Sequence, residues 1–201
     1  MKNTAQEDLM HIRSMMERST RFLSLSGWSG VTAGIIAIAG AIYALNMPTE
    51  QYHSAPGLFG PTRLTDVYLL LLTIVLVLAI SSAMFFTIRK TKSKHLEVWT
   101  TASKLLLFNL SVPLVTGGLF SLALMKAGCI EFIAPSLLIF YGLGLVNASK
   151  YTFSEIAYLG YFEIVLGLMS IYFVGNGILF WILGFGILHI GYGLVLYFKY
   201  R

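Results

Sequence analysis

Six long apolar runs alternate with short polar stretches along the chain. Each run is about 20 residues long, which is the length an α-helix needs to cross about 30 Å of hydrocarbon. The runs cover residues 22–45, 64–88, 104–124, 130–149, 153–174 and 177–198. This pattern predicts an all-α membrane protein in which residues 22–201 form one domain of six transmembrane helices.

In the stretch before the first run, apolar and charged residues are mixed, and the apolar ones recur at helical spacing. Within residues 4–20, Leu9, Ile12 and Met16 recur at helical spacing, while the charged side chains lie on the other faces. The pattern predicts an amphipathic helix in residues 1–21 that lies at the cytoplasmic surface of the membrane. Such a helix either packs on its own bundle or acts as a regulatory or partner-binding arm.

Turn-forming residues divide the six predicted helices into pairs. The fifth and sixth are joined by Gly175-Asn176-Gly177, a turn so short that these helices must be antiparallel neighbours. The chain then reads as three tandem helical hairpins, 22–88, 104–149 and 153–198. Pro113 lies inside the third run and predicts a kink there, because proline removes one backbone hydrogen bond.

Composition excludes a soluble domain and explains the positive charge. The chain is 57% hydrophobic and 11% charged, whereas a soluble domain carries roughly 25% charged residues. The net charge of +5 comes from basic residues that fall on one side of the predicted membrane, and only Arg63 and Lys126 fall on the other. This asymmetry predicts that both termini are cytoplasmic. It also makes the lipid bilayer, rather than a nucleic acid, the expected partner.

The last 49 residues repeat the 49 before them without gaps. The repeat places Gly118 on Gly167, Gly142 on Gly191, Gly144 on Gly193 and Lys150 on Lys199. The first hairpin shares the pattern more loosely, since Gly27 and Gly34 have the spacing of Gly160 and Gly167. The hairpins are therefore expected to be related by rotation about the membrane normal. Small residues at this spacing let helix backbones approach closely, either inside one monomer or in a homo-oligomer.

Three glycine-rich hairpins in about 200 residues resemble the HdeD-type acid-resistance membrane proteins of bacteria. The stretches 17–22, 147–152 and 184–189 (ERSTRF, NASKYT and GFGILH) are similar to an uncharacterised group of bacterial six-helix integral membrane proteins. These resemblances imply a location in the bacterial inner membrane. They imply no activity, cofactor or catalytic residue.

Two ionisable residues interrupt the apolar pattern of the last hairpin. At about 1.5 Å per helical residue, Glu163 lies roughly 13 Å and His189 roughly 15 Å from the cytoplasmic side. Because their helices are expected to be neighbours, the two side chains should reach each other near the membrane midplane. In the repeat they take the places of Leu114 and Phe140, so the second hairpin has no polar group there.

Ionisable groups inside a membrane are costly and usually pair or carry function. The Glu163–His189 pair is therefore a candidate proton or ligand site, and the alternative is a structural hydrogen bond between two helices. Asn109 and Tyr192 are weaker candidates for the same site. Asn109 is at least as readily explained by a bond between helices, and packing is the favoured explanation of Tyr192.

Basic residues at equivalent inner helix ends are candidate anchors to lipid headgroups, including anionic lipids at the cytoplasmic face. They are Arg89, Lys150 and Lys199.

No catalytic motif accompanies these residues. The sequence has no phosphate-binding glycine loop and no H-E-x-x-H, G-x-S-x-G or C-x-x-C motif. Its single cysteine, Cys129, excludes an internal disulfide. An enzyme is therefore not favoured, and neither a cofactor nor a metal is expected. The leading hypothesis is a small-solute or proton-linked transporter or channel-like protein. The alternative is a non-transporting membrane sensor, stress-response or assembly module.

Overall fold

The computed structural model describes residues 21–48 and 56–200, which form helices and turns with no strand in those ranges. The helices are α1 (Gly27–Leu45), α2 (Arg63–Ser93), α3 (Thr101–Lys126), α4 (Ile133–Ala148), α5 (Glu155–Tyr172) and α6 (Gly177–Lys199). Short 3₁₀ turns, Ile130–Phe132 and Ser149–Tyr151, flank α4. With those turns counted as part of α4, all six helices are long and apolar enough to cross a membrane. The prediction of six long apolar helices is confirmed, whereas the predicted amphipathic helix at residues 4–20 lies outside the described residues.

The chain just before α1 is not helical, although the apolar run predicts a helix from residue 22. The Phe22 N–H donates to the Tyr151 carbonyl at 2.7 Å, and the Thr152 hydroxyl donates to the Phe22 carbonyl at 2.7 Å. The Phe22 ring is buried between the start of α3 and the end of α4. The N–H and carbonyl of Phe22 therefore have hydrogen-bond partners without being part of a helix, and α1 begins only at Gly27.

Several helix ends meet at the end of the bundle that holds Phe22. The Lys90 ammonium, near the end of α2, donates to the carbonyls of Leu25 and Tyr200 at 3.0 and 3.3 Å. Lys199 and Tyr200, at the end of α6, both donate to the carboxylate of Glu155 in the first turn of α5. The starts of α1 and α5 and the ends of α2 and α6 therefore lie at one end of the molecule.

Two helix–helix interfaces are closed by glycine, and we call them the closed seams: α1 on α6, and α5 on α4. A side-chain carbon added at Gly27 would lie 2.4 Å from the Gly193 carbonyl oxygen, and one at Gly160 would lie 2.7 Å from the Gly142 carbonyl oxygen. The backbones are thus so close that no side chain fits between them, which is how helices associate when lipid removes the hydrophobic driving force.

The packing corrects the register of the repeat on the even helices. Gly27 on α1 and Gly160 on α5 are equivalent, as their spacing predicts, since each faces a glycine carbonyl. Their partners are Gly193 and Gly142, whereas the 49-residue alignment places Gly193 on Gly144. Gly144 instead faces α3, against the side chains of Leu110 and Leu114. The sequence alignment matches glycine with glycine, whereas the structure matches the positions at which two backbones touch. On α6 the structural match is shifted by two residues from the sequence match.

The third seam, between α2 and α3, is open. These helices share almost no contacts, although only the 94–100 loop separates them. Gly118 on α3 is the repeat equivalent of Gly34 and Gly167, yet an added side-chain carbon there would meet no atom of residues 21–48 or 56–200 within 4 Å. Consistent with this, α2 and α3 are the least buried of the six helices, at 6% and 11% of their spanning windows. We call this interface the open seam.

The last hairpin is splayed along part of its length. α5 packs on the first half of α6, up to the π-helical segment Ile182–Leu188, while the second half of α6 packs mainly on α1. Beyond that segment, α5 reaches α6 through side-chain contacts at His189 and Lys199. By contrast, α1 packs on α2 and α3 packs on α4. The π-helical segment therefore lies where α6 passes from one closed seam to the other.

Candidate functional site

Glu163 and His189 lie side by side in the middle of the bundle. The Nδ1 atom of His189 is 3.3 Å from the Oε1 atom of Glu163. The Glu163 side chain is fully buried, and His189 is 6% exposed. The two closed seams meet here, because Glu163 is on α5 and His189 is on α6. The sequence hypothesis required these two side chains at one depth and within reach, and the structure brings them together.

A glycine in the π-helical segment makes room for the carboxyl group. A side-chain carbon added at Gly184 would lie 2.5 Å from the Oε2 atom of Glu163 and 2.5 Å from the Leu138 side chain. The carboxyl group of Glu163 therefore rests directly against the backbone of α6. The Nδ1 atom of His189 also lies 3.1 Å from the carbonyl oxygen of Gly184, within the π-helical segment.

These contacts determine the tautomer of His189. A carbonyl oxygen can only accept a hydrogen bond, so Nδ1 carries a proton and donates it to Gly184. The Nε2 atom faces the Tyr141 hydroxyl at 2.7 Å. In neutral His189 the Tyr141 hydroxyl donates to Nε2, and in the imidazolium form Nε2 donates to the hydroxyl oxygen. The ring can therefore gain a proton without moving.

Aromatic rings hold the imidazole in place. Tyr141 stacks on His189 with ring centroids 5.3 Å apart and an angle of 28° between the planes. Phe185 lies 6.0 Å from His189 and 4.5 Å from Trp181, which itself donates to the Ala37 carbonyl of α1. Side chains from α4 and α6 thus enclose the ring.

The carboxyl group of Glu163 is the least satisfied group in the site. Neither of its oxygens has a hydrogen-bond partner among the described residues, because the Nδ1 proton of His189 points to Gly184 even though Oε1 is near. An ionised carboxylate without partners is very costly at low dielectric. Glu163 therefore needs either its own proton or the positive charge of a protonated His189. In both arrangements the pair is electrically neutral. It then holds one proton more than the combination of an ionised Glu163 with a neutral His189.

Tyr141 is a member of the site that the sequence interpretation missed. It lies in an apolar run beside Gly142, where a tyrosine is unremarkable. In the corrected repeat register it is the equivalent of Tyr192, so an alignment shifted by two residues would have drawn attention to it. The hydroxyl of Tyr192 is buried without a hydrogen-bond partner, and its ring packs in a cluster that also includes Tyr141. Tyr192 therefore lies beside the site but makes no hydrogen bond to it.

Asn109 belongs to a different contact. Pro113 has no N–H, so the Asn109 carbonyl lacks its usual helical donor. The side-chain amide of Asn147 on α4 donates to that carbonyl at 3.3 Å and to the Asn109 side-chain oxygen at 3.0 Å. α3 remains one helix from Thr101 to Lys126. Asn109 thus joins α3 to α4, and the structure does not bring it to Glu163.

The three predicted headgroup anchors lie at helix ends. Arg89 and Lys150 are exposed, and the Lys150 ammonium donates to Asn147 at 3.2 Å. Lys199 forms an ion pair with Glu155. The charge of Lys199 is therefore already partnered by a carboxylate, while Arg89 and Lys150 face outward.

The site is closed in this conformation. One cavity of about 510 Å³ lies between residues 58–61 and the end of α3, and another of about 210 Å³ lies beside Trp28 and Tyr197. Neither reaches Glu163 or His189. Within residues 21–48 and 56–200, no three His, Cys, Asp or Glu side chains are grouped so that they could hold a metal ion. The site can therefore bind a proton as it stands, but a larger ligand would require helices to move apart.

Comparison with protein-family models, curated proteins and solved structures finds no match to the chain. The resemblances drawn from short sequence stretches remain predictions.

Proposed function

We propose that this protein is a proton-linked membrane transporter or channel-like protein in which Glu163 is the proton-binding group and His189 its partner. The observation that carries the proposal is the fully buried carboxyl group of Glu163, which has no hydrogen-bond partner and lies 3.3 Å from His189 Nδ1. A structural hydrogen bond would be expected to satisfy the carboxyl group, whereas a proton site must tolerate both protonation states.

The chemistry of the pair follows from its charge. With one shared proton, the pair is neutral and stable in a closed bundle. Release of that proton leaves a lone carboxylate beside a neutral imidazole, which the closed bundle cannot solvate. Proton release is therefore coupled to an opening that admits water or a cation. This coupling between protonation and opening is what a proton-linked carrier requires.

We place both termini in the cytoplasm of a bacterium, with the helices in its inner membrane as three hairpins. The packing supports a common side for the helix ends, since Lys90 bonds to residues just before α1 and just after α6. The basic residues Arg89, Lys150 and Lys199 are at the ends of even helices, and the positive-inside rule assigns that side to the cytoplasm.

Proton flux in liposomes tests the proposal. The purified full-length chain is reconstituted around a pH-sensitive dye, and a potassium diffusion potential drives proton movement. We expect flux above that of empty liposomes for the wild type and flux at the empty-liposome level for Glu163→Gln, because glutamine keeps the shape but cannot exchange a proton.

Glu131→Gln is the matched control, since Glu131 is an exposed carboxylate outside the site and its replacement should leave the flux unchanged. Equal flux in the wild type and Glu163→Gln, with both eluting as folded protein, would remove Glu163 from the mechanism. Wild-type flux no greater than that of empty liposomes would reject proton transport.

A non-transporting sensor or assembly module is the second candidate. The observation that favours it is the closed packing around Glu163, where Gly184 and Leu138 leave no space beside the carboxyl group. In that case protonation of Glu163 would change helix packing without any flux. Recovery of partner proteins with the full chain and with a chain lacking residues 1–20 would support this function if only the full chain retains them.

A further inference from the structure

We propose that the open seam is a binding site for a phospholipid with an anionic headgroup, held at the end of the molecule opposite Phe22. The seam is the interface between α2 and α3, which share almost no contacts in the described part of the chain, although the repeat would lead one to expect it closed. The cavity of about 510 Å³ lies at its mouth, between residues 58–61 and the last turns of α3. The proposal is independent of proton binding at Glu163, and the proposed orientation serves only to assign the outer leaflet.

The groove has apolar walls and one cation. Leu122 and Ala123 of α3 face residues 58–61, which include Leu58 and Phe59, and Lys126 completes the lining. Lys126 forms no hydrogen bond or ion pair with any other residue in the described part of the chain. An ammonium group at the end of an apolar groove matches a phosphate at the end of an acyl chain.

The far wall of the cavity is held in a fixed shape. The Asp66 carboxylate accepts hydrogen bonds from the backbone N–H groups of Leu58 and Phe59 at 2.6 and 2.9 Å. Gly128, in the turn after α3, lies near Pro61. Asp66 is thereby committed to the loop, and Lys126 is the cation among the residues that line the cavity.

The floor of the groove accommodates an acyl chain. Nothing lies within 4 Å of a side-chain carbon built at Gly118, whereas Gly34 and Gly167 at the equivalent places are covered by another helix. Burial of an acyl chain here gains little by itself, because the surrounding lipid is equally apolar. Selectivity should therefore come from the headgroup, and the proposal predicts a preference set by charge at Lys126.

Native mass spectrometry of the purified full-length protein tests the site. The protein is titrated with phosphatidylglycerol and with phosphatidylcholine of identical acyl chains. We expect about fivefold greater retention of phosphatidylglycerol, from one basic residue near an anionic headgroup. Lys126→Gln should remove the preference, and Lys126→Arg should keep it. Lys104→Gln, which removes one charge from the other end of α3, should leave the preference unchanged.

A second variant separates the groove from the charge. Ala123→Trp fills the cavity while keeping Lys126, and it should lower retention of phosphatidylglycerol with no loss of melting temperature. Excess glycerol phosphate should not displace the lipid, because it lacks the acyl chain.

Equal retention of the two lipids by the wild type would overturn the proposal, as would an unchanged preference in Lys126→Gln or displacement by glycerol phosphate alone. A stable dimer with efficient disulfide cross-linking between chains through Leu119→Cys would also overturn it, because a second copy would then cover the groove.

Discussion

The closed seams and the open seam use the same kind of glycine with opposite results. Gly142 and Gly160 bring α4 and α5 into backbone contact, while Gly118 on α3 faces no neighbouring atom. Glu163 and His189 lie where the two closed seams meet, whereas the open seam is the interface between α2 and α3. A glycine stripe therefore permits close packing but does not compel it, because a partner helix must also present a backbone surface at the right register.

The largest effect should come from adding one methyl group at a closed seam. Gly142→Ala would place a carbon 2.6 Å from the Gly160 carbonyl oxygen, and backbone cannot move aside as a flexible side chain can. We expect a loss of about 1–3 kcal/mol of stability, seen as a lower melting temperature in detergent.

Gly118→Ala is the matched substitution at the open seam. It should be neutral or stabilising by up to about 1 kcal/mol, since glycine is the weaker helix former and no atom is displaced. Equal losses of melting temperature in the two variants would contradict the distinction between closed and open seams.

A somewhat smaller effect is expected from Gly184→Ala, which acts on the site rather than on a seam. The added methyl group would lie 2.5 Å from Glu163 Oε2, and the carboxyl group can turn away at a cost of about 1–2 kcal/mol. The double variant Gly184→Ala with Glu163→Ala should recover part of the lost stability, because the clashing group is gone. Strictly additive losses in melting temperature would show that the carboxyl group does not rest on Gly184.

The smallest effect should come from Tyr141→Phe. This change removes the hydroxyl group that lies 2.7 Å from His189 Nε2 but keeps the ring stacked on the imidazole. We expect a loss of about 1 kcal/mol, the usual net value of one hydrogen bond. In a double-mutant cycle with His189→Gln the coupling should be of the same size, and a coupling of zero would mean that the contact contributes nothing to stability.

The sequence was sufficient to predict the long helices and the proximity of Glu163 to His189. Runs of apolar residues predict six long helices because a segment that crosses lipid must satisfy its own backbone. The short Gly175–Gly177 turn and the equal depths of Glu163 and His189 predicted their proximity, and they lie together even though α5 and α6 touch along only part of their length.

Other features depend on contacts between distant segments and could not be predicted from local pattern. Phe22 lies in an apolar run but is not helical, because Tyr151 and Thr152 bond to its backbone. Tyr141 joins the site only because α4 packs close to α6. The structural equivalence of α6 with α4 is shifted by two residues from the sequence repeat. This shift depends on which backbones touch, and a sequence repeat does not contain that information.

The protonation state of Glu163 tests the central claim most directly. Infrared difference spectroscopy of the reconstituted protein during a pH titration would record the carbonyl stretch of a buried carboxylic acid. A band that appears and disappears with pH in the wild type and in Glu131→Gln, but is missing from Glu163→Gln, is the predicted result. A spectrum in which Glu163→Gln retains the full titrating band, or in which the wild type has none, would contradict a proton site at Glu163.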